Sequence, residues 1–367
     1  SLPTWFTDGA GALHGVAAEC MGTQTSGTAC TVYCHGEGST TPGTPSTLTC
    51  NAAGFYDGDD PCKLTWTQSS NLPGGPRWLA AGATLPDGTL FILGGSTTWS
   101  SWTDSTTDAI FKSTDDGASF VEMTPTGTAW GTRAYPAVAV MLGTDILAMA
   151  GGRRGTAYLS DVWVSFDRAQ TWSEATSAAW GNAGRTGHGL IATSATRLVT
   201  LGGMDAQGTL SNKVFASVAA TSADIGKVWV ELTCTDGSTK WTPRYTHGSA
   251  YLPTLERIVI GGGWASTGAL FNDVWGSDDG GSCWTQLAIA PPWSARNSIQ
   301  SSFIATTLAG EDALVMATGD MTTTDVWRSS DGVLWSQISE ASSSAIPPMR
   351  QHACLLAASS KLILAAG

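Results

Sequence analysis

Hydrophobic and polar positions along this chain follow a cassette that recurs six times at a period of about fifty-five residues. Each copy holds an aromatic residue, one spacer and Glu or Gln, then a short polar loop, an Arg and an apolar stretch ending in small residues. The aromatic pairs are Trp66/Gln68, Phe120/Glu122, Trp172/Glu174, Trp229/Glu231, Trp284/Gln286 and Trp335/Gln337; the arginines are Arg77, Arg133, Arg185, Arg244, Arg296 and Arg350. The apolar runs are TLFILGG (89–95), DILAMAGG (145–152), RLVTLGG (197–203), RIVIGGG (257–263), ALVMATG (313–319) and KLILAAG (361–367). Runs this short, bounded by glycine, predict buried strands. A third strand follows as DVWVS (161–165), DVWGS (273–277) and DVWRS (325–329), with AIFKS (109–113) and a degenerate KVFAS (213–217) in other copies.

Four strands per repeat at this period predict a β-propeller, so the expected fold is all-β with six four-stranded blades. Arg185, Gly187 and His188, then LVTLGG and the third strand, resemble the kelch repeat, in which Arg and a following His open the innermost strand and a double glycine closes the second. Between the third and fourth strands the chain resembles the Asp-box turn of sialidase-type propellers. Its copies are STDDGASF (113–120), SFDRAQTW (165–172), SDDGGSCW (277–284) and a one-residue-shorter SSDGVLW (329–335). Physically this is a turn motif: the Asp caps backbone amides, Gly takes a conformation other residues resist, and the aromatic packs between sheets. Asp115, Asp167, Asp279 and Asp331 are therefore expected to be structural. The two resemblances span residues 63–367 and speak for fold better than for function.

A fourth-strand copy at Trp66 precedes the first Arg, while the last repeat reaches Gly367 with two strands. Ring closure is expected to draw the missing strands from residues 1–13, where PTWFTDG weakly resembles a third strand; a chain continuing past Gly367 would supply them equally well. The expected division is residues 1–13 completing the last blade, a cysteine-rich insert at 14–62 and the propeller at 63–367.

With 44 glycines, 17 tryptophans and a net charge of −12 in 367 residues, composition points to one large β domain. The acidic balance and lack of a basic patch argue against nucleic-acid and anionic-membrane partners, and no apolar run is long enough to cross a bilayer as a helix. Ser1 reads as a processed start, and a secreted or cell-surface location is expected.

Five of the eight cysteines, Cys20, Cys30, Cys34, Cys50 and Cys62, crowd into 43 residues rich in Gly, Thr and Ser. That density reads as a disulfide staple in a secreted protein, and the spacings fit no common zinc finger. VYCHGEG, STLTCNAAGFY and DPC resemble the C-terminal half of a sushi (complement control) module. The resemblance implies Cys20–Cys50 and Cys34–Cys62 bridges with Cys30 left over, although the Cys20 to Cys34 interval is too short for a complete module. For Cys234, Cys283 and Cys354, pairing with Cys30 and burial as free thiols both stay open. The insert is placed on the outer rim.

Catalysis finds little support. A sialidase-like site needs an arginine triad, a Tyr with a Glu partner and an acidic donor on the axis. Here Glu122, Glu174 and Glu231 fall at the outer edge, Glu19 and Glu37 in the insert, and Glu256, Glu311 and Glu340 in loops. The six repeated arginines are expected to bond backbone carbonyls between blades. His188, His247 and His352 follow their Arg by three, three and two residues, where kelch repeats carry packing histidines, so no metal and no cofactor are expected. A copper oxidase of the galactose oxidase kind would need Tyr beside His, and Tyr245 is two residues from His247.

Trp130, Trp241 and Trp293 each lie three residues before an Arg, and with Trp99, Trp102, Trp264, Arg153 and Arg154 they form the expected platform for a protein or glycan; burial between blades is the competing role for the first three. No N-glycosylation sequon occurs, and O-linked sugar around Thr41 and Thr44 is expected from composition alone. The function expected is a non-catalytic extracellular adhesion or assembly module whose partners are proteins, including copies of itself; a carbohydrate binder or glycosidase is the alternative and a kelch-type copper oxidase the third.

Overall fold

The computed structural model describes most of residues 72–365, apart from 76, 99–104, 129, 182, 238–239, 298, 301, 309–310, 320–324, 340–351 and 359–361, and within residues 1–71 the backbone of five strands. Those five, β1 (Thr4–Thr7), β2 (Leu13–Val16), β3 (Ala29–Tyr33), β4 (Pro45–Cys50) and β5 (Tyr56–Asp57), pair in chain order in one sheet.

Five four-stranded antiparallel sheets follow. Blade 1 is β6 (Ala81–Thr84), β7 (Leu90–Leu93), β8 (Ile110–Ser113) and β9 (Val121–Met123). Blade 2 opens with β10 (Ala137–Val140) and β11 (Leu147–Ala150), carries a small hairpin β12 (Arg153–Arg154) and β13 (Ala157–Tyr158), and ends with β14 (Val162–Ser165) and β15 (Ser173–Thr176). Blade 3 is β16 (Gly189–Ala192), β17 (Arg197–Leu201), β18 (Val214–Val218) and β19 (Val230–Leu232). Blade 4 is β20 (Gly248–Leu252), β21 (Arg257–Gly261), β22 (Val274–Ser277) and β23 (Thr285–Ala288). Blade 5 is β24 (Phe303–Leu308), β25 (Glu311–Ala317), β26 (Val326–Ser329) and β27 (Ser336–Ser339), and a two-stranded sheet, β28 (Cys354–Ala357) and β29 (Leu362–Ala365), ends the chain. This is a β-propeller. Its second strands are mostly apolar because sheet neighbours flank them on both edges and blades on both faces; β7 and β11 are buried at every position. Fourth strands run along the rim, so β9 and β19 are largely exposed.

The expectation of six four-stranded blades is corrected: the structure has five, with a two-stranded sheet beside them. The N-terminal strand pairs with β2, and β29 pairs with β28. Nonetheless the first strands β6, β10, β16, β20, β24 and β28 lie side by side around an axis, with β28 between β24 and β6. The expected boundary after residue 13 falls inside β2. Cys20, Cys34, Cys62 and Trp66 lie outside the described residues, as does Arg350, and of Cys50 the backbone alone is described.

The repeated arginines work differently from expectation. Arg244 is fully buried and clamps its own blade: it holds the Asp273 carboxylate bidentately at 2.6 and 2.8 Å and donates to the Gly262 carbonyl at 2.9 Å. Arg133 grips Asp161 and Gly151 in the same way, and Arg296 grips Asp325 and Thr318. Each Asp also accepts the indole N–H of the Trp two residues on, at 2.7 to 2.8 Å for Trp163, Trp275 and Trp327. In blades 1 and 3 the Asp position holds Ala109 and Lys213, the Trp becomes Phe, and the guanidinium stacks on it instead, Arg77 over Phe111 at 5.0 Å and Arg185 over Phe215 at 5.1 Å. Arg185 has no carboxylate partner, and desolvation lowers its pKa to about 10. The tie between blades comes from the main chain: the carbonyls of Arg133, Arg185, Arg244 and Arg296 accept from Gly95, Gly152, Gly203 and Gly263 of the preceding blade at 2.8 to 2.9 Å.

The first glycine of each pair has a different reason. Gly151 and Gly202 have φ of +55° and +68°, and a Cβ there would strike the ring of His188 or His247 from the next blade. Pro136 and Ile299 occupy the same place against Gly94 and Gly262. In the fifth blade the glycine is Thr318, and the residue three after the next Arg is the small Ala353.

In blades 1, 2, 4 and 5 the third-to-fourth-strand turn is built on Ser and Asp. Asp115 accepts from the Ser119 amide (3.0 Å) and hydroxyl (2.6 Å), while Ser113 Oγ accepts the Gly117 amide at 2.9 Å. Asp167, Asp279 and Asp331 bond their turns likewise, to Thr171, Cys283 and Leu334. These bonds hold the Asp115 carboxyl at about 2, through the Ser119 hydroxyl first.

Candidate functional site

The first strands surround an axial channel of about 820 Å³. Its wall mixes small residues, Gly82, Ala139, Gly189, Ser249 and Ala305 among them, with larger ones such as Val138, Leu190 and Ile304. A Cβ on Gly189 would meet Ser249, and one on Gly248 would meet Phe303. Among the described lining residues the one carboxylate is Asp87, in the β6–β7 loop at one end. Its hydrogen bond from Arg168, then that from the Thr89 amide, hold it at about 2, and Arg168 ties this blade 1 loop to the turn of blade 2.

At the opposite end, where the arginines enter, aromatic rings collect. Tyr245 and Trp264 of blade 4 lie 5.3 Å apart at an interplanar angle of 32°, half-buried, with a backbone bridge between them. Tyr245 reaches over blade 3, where Gly187 leaves room: a Cβ on Gly187 would stand 3.0 Å from its ring. Tyr158 comes from β13 of blade 2 and carries the Arg153 guanidinium 5.7 Å from its ring centre, while Arg153 Nε donates to the Gly155 carbonyl at 2.6 Å. Tyr135 completes the group, edge-on to His352 at 5.2 Å. Burial raises the Tyr135 and Tyr245 phenols, Tyr245 to about 12, with Tyr158 adding to both. The Tyr135 and Tyr245 phenols therefore stay neutral at any physiological pH, and the Arg153 guanidinium stands beside them.

The structure places the expected platform residues apart. Trp130, Trp241 and Trp293 are 2 %, 0 % and 1 % exposed, so they cannot form a docking surface. Each stacks edge-on against the fourth-strand Trp of its own blade, as Trp180 does: Trp130 on Trp172, Trp180 on Trp229, Trp241 on Trp284 and Trp293 on Trp335, at 5.9 to 6.4 Å. Arg154 is exposed but spends its donors on the Thr132 and Trp130 carbonyls. Trp99 and Trp102 lie outside the described residues. Trp264 and Arg153 do stand at the channel mouth, with Tyr135, Tyr158 and Tyr245, which sequence reasoning missed.

His188 and His247 are buried against the preceding blades and His352 beside Tyr135, and burial lowers each imidazole to about 3. Among the described residues the three potential metal-ligand atoms that do converge belong to Cys234, Asp236 and Cys283, and the two sulfurs are bonded to each other. This Cys234–Cys283 disulfide joins the end of blade 3 to the turn of blade 4, and the buried Cys354 thiol donates to the Ala80 carbonyl at 3.2 Å. No described helix is long and apolar enough to cross a membrane.

The class defined by these features is a β-propeller with an axial channel and an aromatic mouth. Searches against protein-family models and against curated proteins find no match for the chain.

Proposed function

We propose that this chain is a non-catalytic extracellular adhesion or assembly module, a kelch-type propeller with Asp-box turns, whose partners are proteins including copies of itself. In this reading β28 and β29 are the inner half of a sixth blade. The supporting observation is the outer rim, where large apolar side chains stand in water on blades 1, 3, 4 and 5: Val121 is 67 % exposed, Val230 55 %, Ile289 77 % and Leu334 78 %. Single exposed apolar residues are ordinary, but a rim of them beside open fourth-strand edges is a surface suited to contact. The Cys234–Cys283 bridge favours an oxidising compartment, hence a secreted or cell-surface location.

The channel supports this over hydrolysis. A glycosidase sets two carboxyl groups across the sugar ring, and the described lining offers Asp87 alone, already paired with Arg168. Light scattering and crosslinking of the full chain test the reading. Ordered oligomers that dissolve in Ile289→Lys or Val121→Lys are the expected result. Chains that stay single at every concentration, and crosslink to nothing in their native surroundings, would refute it.

A further inference from the structure

We propose that the aromatic mouth of the channel binds an acidic sugar, with Tyr245 and Trp264 stacking on the pyranose ring and Arg153 holding its carboxylate. This goes beyond the assembly reading, which concerns the rim.

The geometry supplies both halves of such a ligand. A sugar ring offers a face of C–H groups, which an aromatic ring covers at little entropic cost because its own side chain is already fixed. Tyr245 is fixed by its contact over Gly187 and by Trp264 alongside it. Blade 3 is the described blade with glycine at the second position after its Arg; Leu79, Tyr135, Thr246 and His352 fill that left-handed position elsewhere, at φ of +53° to +61°. The absent side chain is what lets Tyr245 lean across blade 3, toward Tyr158, whose carbonyl packs against Gly184 of the same blade 3 loop.

Arg153 supplies the charge. Tyr158 under its guanidinium and Gly155 on Nε hold it in place, and the hydrogen bonds of the described residues engage Nε rather than the two terminal nitrogens. A planar pair of free N–H donors matches a carboxylate bidentately. On a chain of net charge −12 such a cation is a local exception. A buried polar atom nearby also has no hydrogen-bond partner among the described residues: Oε1 of Gln300 on the channel lining. Groups of this kind are ordinarily satisfied by water or ligand, and here it would accept from a hydroxyl reaching into the channel.

Acid and aromatic parts can be tested separately on the full chain by titration calorimetry. The probes are a galacturonate trimer, a neutral galactose trimer and a poly-glutamate peptide. The galacturonate trimer is expected to bind, and Trp264→Ala to weaken it at least tenfold. Arg153→Gln should weaken galacturonate at least tenfold while leaving the galactose trimer unchanged, with Arg153→Lys recovering part of the loss. Unchanged unfolding midpoints in these half-exposed positions separate loss of binding from loss of fold. The proposal falls if galacturonate does not bind the native chain, if Trp264→Ala binds it normally, or if poly-glutamate binds as tightly and displaces it. None of these results touches the rim, so the assembly reading is judged on its own experiment.

Discussion

Replacing Asp273 with Ala tests whether the Arg–Asp–Trp clamp holds a blade together. The substitution removes two charge-assisted bonds, at 2.6 and 2.8 Å, from a guanidinium with no exposed surface, and strips the Trp275 indole of its acceptor at 2.8 Å. Deleting one member of a buried ion pair costs about 3–5 kcal/mol because the remaining charge is stranded. Arg244 keeps the Gly262 and Thr242 carbonyls and its stack on Phe271 at 4.0 Å, so the lower end, about 3 kcal/mol, is expected. The chain contains its own control. Blades 1 and 3 already lack the acid and carry Phe in place of Trp, with the Arg resting on that ring. Adding Trp275→Phe to Asp273→Ala should therefore recover about 1 kcal/mol, the cost of an orphaned donor. Urea unfolding at pH 7, followed by tryptophan fluorescence, reads both. A single mutant within 1 kcal/mol of the native chain, or a double mutant worse than the single, would refute the reasoning.

Acid should weaken the fold before any carboxylate titrates. The three buried histidines have folded pKa values near 3 against an unfolded value of about 6.5, so stability is complete above pH 6.5 and falls as pH drops toward 3, by up to about 1.4 kcal/mol per histidine per unit; equal urea midpoints at pH 7 and pH 5 would contradict this. Gly151→Ala is expected to cost about 2 kcal/mol or more, combining a left-handed φ with collision against His188, and adding His188→Ala should return the steric share but not the backbone share. Reducing the Cys234–Cys283 bridge frees a loop with a sequence separation of 49, worth about 4 kcal/mol in the chain-entropy account, measurable as a drop in unfolding midpoint with reductant.

The blades were legible because strand, Arg and Asp turn repeat in fixed order, and a repeated residue reports what every blade needs. The carboxylate partner of the Arg was legible too, as the Asp opening each DVW, but its absence from two copies obscured it. Trp130, Trp241 and Trp293 misled because exposure cannot be read from a residue's distance to an Arg. The better signal was pairing: blade 1, with Phe120 on its fourth strand, has Gly74 where these blades have Trp. The mouth was illegible for the opposite reason. Tyr135, Tyr158 and Tyr245 sit at three different repeat positions and meet through the curvature of the ring. Closure also resisted reading, since residues 3–9 are too faint a copy of a third strand to fix its partner.

The first glycine of each second strand answers to a residue in the blade that follows. Bulky Pro136, His188, His247 and Ile299 face Gly94, Gly151, Gly202 and Gly262, and small Ala353 comes with Thr318. Each seam is thus keyed to its two neighbours. Cutting the ring elsewhere and joining its ends would preserve every key, whereas exchanging blade 2 with blade 5 would set a threonine against an imidazole. The order of the blades is written into these seams, and exchanging blades would break the match between them.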